Sequence, residues 1–382
     1  MRVLEAISDT NIGGAGNLLL TRLRNSDRER ISTAVVLPCG SMLIDRLERI
    51  GIKCYTVDGC IDKSFDIGAI RKLCDVINDF EPDIINAHGC ISARIAALFC
   101  RVPVRIYTRH CAFDIPLYMR CFPIKQSIGA LNLLLSTNVI AVADAAADNL
   151  IDMGVPEKRI SVIINGVDGF EKYNEAKRKR EREKLGVSDK FVVGICARLE
   201  RCKDHVTFLR AARVLARKNE KYRFLIIGDG SERKNLVELT EALGISDKVI
   251  FTGFTDEVER YYNCLDLNVN CSIGTETSSL ALSEGMSIGL PSVASSFGGN
   301  PNMVRDGENG YIYEVGDFFS LAACIGRIAE DRELYGKMSE RAFHLFKTEF
   351  NSKKMTANTE KLYYELYKKR QGEEKMARGS EL

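Results

Sequence analysis

Apolar and β-branched residues gather along this chain in short blocks, separated by polar turns and by stretches of helical period. Blocks at 2–7, 32–37, 53–57, 83–87, 104–108 and 138–142 predict strands, and the segments between them predict helices. Strand, helix, strand in that order implies a parallel sheet with right-handed crossovers. A second series of blocks at 191–196, 223–227, 248–251 and 266–270 predicts a further sheet. After the first block comes a turn containing Gly13 and Gly14, then a helix over 18–23. Glycines there let the backbone approach a ligand, and a helix start can hold an anion. The turn lacks the G-x-G-x-x-G order, which disfavours a nicotinamide oxidoreductase.

Length and composition narrow the class. The chain's 382 residues suffice for two domains of ordinary size, and 45% hydrophobic with 28% charged residues describes a folded protein. A net charge of +2 gives no global attraction to nucleic acid, so no nucleic-acid partner is expected. Thirteen cysteines without a C-x-x-C pair or a Cys/His cluster point to a reducing cytoplasm, and the first residues carry no export signal. No apolar run reaches the length of a bilayer span. The segment 117–135 mixes Leu117, Tyr118, Phe122 and Leu131 with Arg120 and Lys125. It reads either as a helix packed on its own domain or as a peripheral contact with an anionic membrane.

The candidate chemistry centres on 275–291. Glu276 follows Ser272, Gly274 and Thr275 in a loop, and Thr277 or Ser278 would cap a helix carrying Leu280, Ala281, Leu282, Met286 and Ile288. Glu284 then shares a helical face with Leu280 and Ile288, where a carboxylate is costly unless something hydrogen-bonds it. Ligand hydroxyls would serve, and the amides at the helix start are a site for phosphate. The set suits a sugar nucleotide: Glu276 by the sugar, the amides of Ser278, Ser279 and Leu280 on the diphosphate, Glu284 on the ribose. An ordinary amphipathic helix with Glu284 in water is the other reading. His88 and His110 fall just past strand ends, where open parallel sheets bind ligands. Arg198 and Lys203 flank a loop that ends at a helix start and could converge on a diphosphate. Gly228 follows another strand, and Phe254 either packs on a base or belongs to the core. The charged run at 177–184 reads as a solvated linker helix.

The pattern from Glu276 and Glu284 through Pro291, Gly298-Gly299 and Asp306-Gly307-Glu308-Asn309-Gly310 resembles the carboxyl-terminal signature of the retaining glycosyltransferases of family 4 (group 1), and the likeness covers nearly the whole chain. It implies the GT-B fold: α/β, two Rossmann-like parallel-sheet domains facing a central cleft. Asn165-Gly166-Val167-Asp168 would mark the crossing between them. The domains are then 1–168, which binds the acceptor, and 169–350, which binds the donor, with a helix in 351–382 returning to the first. The resemblance also places His110 near the transferred sugar, Arg198 and Lys203 on the donor diphosphate, the Gly13-Gly14 loop at the donor phosphate or the acceptor, and the loop of Phe254, with Gly228, at the base. Two departures stand out: Cys111 follows His110 where a glycine or polar residue is common, and Asn302 stands where relatives commonly carry glutamate.

The implied activity is metal-independent, cofactor-free transfer with retention from a nucleoside-diphosphate sugar, expected to be a UDP-sugar, to a glycan or lipid-linked acceptor of surface polysaccharide or glycolipid. The alternatives are a sugar-nucleotide epimerase on the same fold and a non-catalytic sugar-nucleotide-binding subunit.

Overall fold

The computed structural model describes residues 1–10, 13–59, 66–112, 115–274 and 276–379, with side chains described as far as 373. Asn11 and Ile12 of the glycine turn, and Thr275 ahead of Glu276, lie outside them. The chain divides into two units, Met1–Gly166 with Ser352–Leu382, and Val167–Asn351.

In the first unit the strands are β1 (Arg2–Ile7), β2 (Ser32–Leu37), β3 (Lys53–Thr56), β4 (Ile84–His88), β5 (Val104–Arg109), β6 (Asn138–Ala141) and β7 (Ile160–Val162). They pair in parallel in the order β3-β2-β1-β4-β5-β6-β7. The order reverses between β1 and β4, the switch point where open sheets of this kind bind ligands. Register sets Glu5 beside Asn86 and Ile7 beside His88. Side chains alternate along a strand, so Leu4, Ala6, Ile85 and Ala87 pack into one core cluster. Glu5, Asn86 and His88 occupy the opposite face, where the helices Gly14–Arg24 and Ser352–Gly379 bring Arg22 and Tyr363 against them. The first helix begins at Gly14, four residues before the predicted start, and Gly13 is its N-cap without a side-chain hydrogen bond.

The second unit contains β8 (Phe191–Cys196), β9 (Tyr222–Ile227), β10 (Val249–Gly253), β11 (Leu267–Asn270), β12 (Ser292–Ser295) and β13 (Gly310–Tyr313). These are also parallel, in the order β10-β9-β8-β11-β12-β13, with the switch between β8 and β11. The two last strands escape a reading of hydrophobic blocks because β12 begins and ends with serine and β13 begins with glycine. Val193, Ile195, Phe208, Phe224 and Val293 anchor the main core of this unit.

The charged run forms the helix Glu175–Lys184, most of whose side chains are exposed, as its composition predicts. Arg182 is the exception among them: it is buried and donates to the Cys264 carbonyl at 2.8 Å and to Asp266 at 3.0 Å. Arg178 grips the other oxygen of the same carboxylate at 2.6 Å, and the Val192 amide donates to it at 2.7 Å. The long aliphatic stems of arginine let a polar sequence pack while its charges meet one paired carboxylate.

Candidate active site

Two switch points give two clusters, one in each unit. In the second unit the loop after β8 makes a short turn of 3-10 helix, Arg201–Lys203, and reverses at Asp204, whose φ of 45° is left-handed. That conformation costs a non-glycine residue about 1–2 kcal/mol. Asp204 offsets it by capping the helix His205–Lys218 through the Thr207 amide at 3.2 Å. The turn aims Lys203 at the loop after β11, where its ammonium meets Glu276 at 2.6 Å and Ser272 Oγ at 3.3 Å.

Glu276 is held on several sides. Ser272 Oγ donates to Oε2 at 2.8 Å, Asn270 Nδ2 lies 3.4 Å from the same oxygen, and Asn270 Oδ1 accepts from the Ser272 amide at 2.9 Å. The Ser295 hydroxyl fixes the Ser272 carbonyl at 2.6 Å, and Asn300 donates to that hydroxyl at 3.1 Å. Sequence reasoning found Glu276 but missed Asn270, Ser272, Ser295 and Asn300, because the contacts holding it come from strand ends and a helix start up to 24 residues away. Lys203, expected on a diphosphate, is here the partner of Glu276.

Gly298 closes this loop. It has φ +60°, and a Cβ on it would overlap the Glu276 carbonyl oxygen. Gly298→Ala is therefore expected to lose about 1–3 kcal/mol of stability, with a fall in turnover as Glu276 is displaced. Thermal unfolding and steady-state assay of one preparation check it, and unchanged values in both would refute the placement.

The helix after Glu276 is Leu280–Ser287, and its cap is Ser279 rather than Thr277 or Ser278. Ser279 Oγ accepts from the Leu282 amide at 3.3 Å and from Asn270 Nδ2 at 2.9 Å, while the Ser279 amide donates to Met303 Sδ at 3.1 Å. Ser278 is buried with its hydroxyl near the same sulfur. The Ser279 amide is thus already taken, and the amides left beyond reach of an intrahelical carbonyl are those of Leu280 and Ala281.

One turn further on, Glu284 sits by Tyr262 and Cys196. Loss of water pushes its carboxyl up to about 7, against an opposing hydrogen bond from the Tyr262 hydroxyl. Its negative charge also helps push the Cys196 thiol up to about 12, after the thiol's own loss of water. Glu284 is a desolvated acid, as its helical face predicts.

Arg198 is exposed at the end of β8, where it helps hold the Glu200 carboxyl below its usual range, after the hydrogen bonds from Ser231. Gly228 has φ +135°, and a side chain there would overlap the Ala197 carbonyl, so packing of the Arg198 loop by itself requires glycine. Phe254 is 79% exposed, which overturns the core reading of that side chain. Among the described residues no three His, Cys, Asp or Glu side chains converge to hold a metal.

In the first unit His110 follows β5 and touches His88, with Nε2 2.7 Å from His88 Nδ1. Burial, then the neighbouring His88, push the His110 imidazole down to about 3. His88 Nε2 lies 2.8 Å from Glu5, a buried carboxylate that sequence reasoning missed inside an apolar strand. Arg22, His88, Asn86, Thr108 and His110 line a cavity of about 30 Å³, room for a single water. At the glycine turn, a Cβ on Gly14 would meet no described atom within 4 Å, so packing of the unit does not demand that glycine.

Two parallel sheets, each with ionisable side chains at its switch point, define an α/β protein with a candidate site in each unit. The family model "Glycosyltransferase Family 4" matches residues 12–169 and "Glycosyl transferases group 1" matches 177–345, and between them they take in most of the chain. The chain belongs to this family of glycosyltransferases. It is 26% identical to the N-acetyl-alpha-D-glucosaminyl L-malate synthase of Bacillus anthracis over 79% of this chain and 80% of that one. It is also 26% identical, with the same coverage, to the UDP-Gal:alpha-D-GlcNAc-diphosphoundecaprenol alpha-1,3-galactosyltransferase of Escherichia coli. Among solved structures, HepE of Anabaena in complex with UDP superimposes with a TM-score of 0.83 at 22% identity, covering 96% of this chain and 100% of that one. The two-sheet architecture is the GT-B fold of these neighbours.

Proposed function

We propose that this glycosyltransferase moves a sugar from UDP to a glycan or lipid-linked acceptor of surface polysaccharide or glycolipid, with retention at the transferred carbon and without a metal. The observation that carries the reading is the cluster after β8 and β11, where Lys203, Glu276, the start of the helix Leu280–Ser287 and a desolvated Glu284 lie in one unit. HepE binds UDP and UDP-glucose, and the E. coli relative uses UDP-galactose, which favours uridine as the base.

In this reading the bond from the sugar carbon to the diphosphate oxygen breaks and its electron pair stays on UDP. An acceptor hydroxyl oxygen forms the new bond from the same side, and its proton passes to the phosphate oxygen. Arg198, Lys203 and the amides of Leu280 and Ala281 stabilise the charge growing on the diphosphate. Glu276 orients the sugar hydroxyls, Glu284 accepts from the ribose, and His110 meets a substrate hydroxyl. The Gly13-Gly14 turn presents backbone to the phosphate or acceptor, and the Gly228 and Phe254 loops lie toward the base.

Calorimetry without added metal against UDP, GDP and ADP tests the donor site. Binding of UDP alone, retained in EDTA, is the expected result, and no heat with any of the three would sink the reading. Product anomer by NMR tests retention.

The protein is proposed to act at the cytoplasmic face of a membrane. The 3-10 turn Leu117–Arg120 and the helix Ile124–Leu135 turn much of their apolar surface outward: Leu117 is 79% and Phe122 81% exposed, with Leu131 and Leu134 half exposed. Only Gly129 and Leu135 of that helix are buried, Gly129 against the Gly154 backbone. Arg120 is exposed on the same segment, and no described helix is long and apolar enough to cross a membrane. Co-sedimentation with vesicles of anionic phospholipid is expected to fall at least about fivefold in Leu117→Asp/Phe122→Asp, since each buried apolar side chain contributes about 1.5–3 kcal/mol. Equal sedimentation of both proteins would remove the membrane contact.

A further inference from the structure

Two partly buried thiols meet where the helices on either side of β4 pack together. The helix Ile67–Phe80 buries Ala69, Ile70, Leu73 and Ile77, and the helix Ile91–Phe99 meets the same core with Ala93, Ala96 and Ala97. Side chains that small let the two backbones approach. Cys74, one position after Leu73, packs on the edge of this core, and so does Cys100, the residue that ends the second helix. The Cys74 sulfur lies 4.0 Å from the Ala96 carbonyl oxygen, the same oxygen to which the Cys100 amide donates at 2.9 Å. In return the Cys100 sulfur lies 4.0 Å from the Cys74 carbonyl oxygen and is in hydrogen-bonding contact with the Cys74 thiol. Each sulfur thus sits against the backbone of the other's turn. Burial, then the contact with Cys74, hold the Cys100 thiol above its usual range, so it stays protonated at neutral pH. Both residues keep some exposure, which leaves them open to a small oxidant.

We propose that Cys74 and Cys100 are a dithiol pair that a low-molecular-weight disulfide converts into an intramolecular disulfide, fastening the two helices around β4. The thiolate of one cysteine attacks a sulfur of glutathione disulfide, forming a mixed disulfide and releasing one glutathione. The thiolate of the other then displaces the second glutathione. Two protein thiols are oxidised, one glutathione disulfide is reduced to two thiols, and the two protons pass to them. The partners are 26 residues apart, so they carry no C-x-x-C spacing and only the fold brings them together. A reducing poise keeps the pair as thiols, and oxidising conditions close it. The ring so formed encloses β4, whose His88 touches His110. Closing a loop of roughly 25 residues restricts the unfolded chain, which stabilises the folded one. Neither thiol takes part in the proposed transfer.

The test incubates the full chain with glutathione disulfide well below its unfolding temperature, blocks the remaining thiols and maps tryptic peptides without reduction. Cleavage after Lys72, Arg94 and Arg101 leaves Cys74 with Cys90 on one peptide and Cys100 on another. The expected product joins these two peptides, with fragmentation assigning the bond to Cys74 and Cys100. The oxidised protein should unfold at least about 3 °C higher, and dithiothreitol should abolish the rise. Cys100→Ser should carry glutathione on Cys74 and show no such rise. A bond from Cys100 to Cys90, lasting mixed disulfides on both Cys74 and Cys100, or two unreacted thiols would overturn the proposal. An unchanged unfolding temperature with the bond in place would refute the fastening of the helices. If Cys100→Ser does not fold, the wild-type map and melting curve decide.

Discussion

Lys203→Met is expected to slow turnover about 10²- to 10³-fold at saturating donor, the range seen when one preorganised donor to a developing anion is removed. Lys203 is mostly buried, and its ammonium lies 2.6 Å from Glu276, so its charge acts where water screens little. The same substitution leaves Glu276 without its cation, which makes the fold weaker as well as the site. Lys203→Met/Glu276→Gln separates the two effects. Removing both charges avoids the orphaned carboxylate, so the double variant should recover thermal stability relative to Lys203→Met, with a coupling of about 1–3 kcal/mol. Turnover should not recover, because neither the cation nor the sugar-orienting carboxylate is present. Full turnover of Lys203→Met would sink the leaving-group role, and additive stabilities would show the ion pair to be energetically idle.

How much of this was legible in the chain follows from the range of the interactions. Glu284 could be read from local spacing, because a helix of period 3.6 decides which face it shares with Leu280 and Ile288. Cap chemistry was legible only to within one or two residues: Thr277, Ser278 and Ser279 are alike as sequence, and Met303 and Asn270 decide among them. The ion pair of Lys203 with Glu276 was invisible, since 73 residues separate the partners and only the β8–β11 switch brings their loops together. Glu5 was hidden more deeply. A carboxylate in an apolar strand reads as noise until Arg22, Asn86, His88 and Tyr363 close around it, the last of these 358 residues away. In the charged helix Glu175–Lys184 the burial of Arg182 was hidden for the same reason, because its partner Asp266 is distant in sequence. Phe254 misled in the opposite direction, an apolar side chain left in water.

UDP affinity is expected to fall on acidification, by about 30-fold between pH 7.5 and 5.5, and to lose most of this dependence in Glu284→Gln. The sign follows from the carboxyl's two environments. In the free protein burial raises Glu284 to about 7, so near neutral pH the group is about half protonated. A ribose diol donates hydrogen bonds and favours the ionised form, so binding lowers this pKa and releases a proton. Above pH 7 the site is already ionised and affinity is level. Below it, each pH unit costs close to tenfold until the pKa of the bound form is reached. Stability of the free protein runs the other way to that of an ion-paired acid. The fold holds the Glu284 proton more tightly than the unfolded chain does, so this contribution is fully present below about 4.5 and is lost as pH rises through 7. Ligand therefore stabilises most where the free protein carries its buried charge, and the shift in Tm with saturating UDP should grow from pH 5.5 to 7.5. Calorimetry in two buffers of different ionisation enthalpy counts the proton directly. Release of a fraction of a proton at pH 7, absent in Glu284→Gln, is the expected result. Equal pH profiles for the two proteins would remove Glu284 from the nucleotide site and leave its raised pKa as a consequence of packing beside Tyr262 alone.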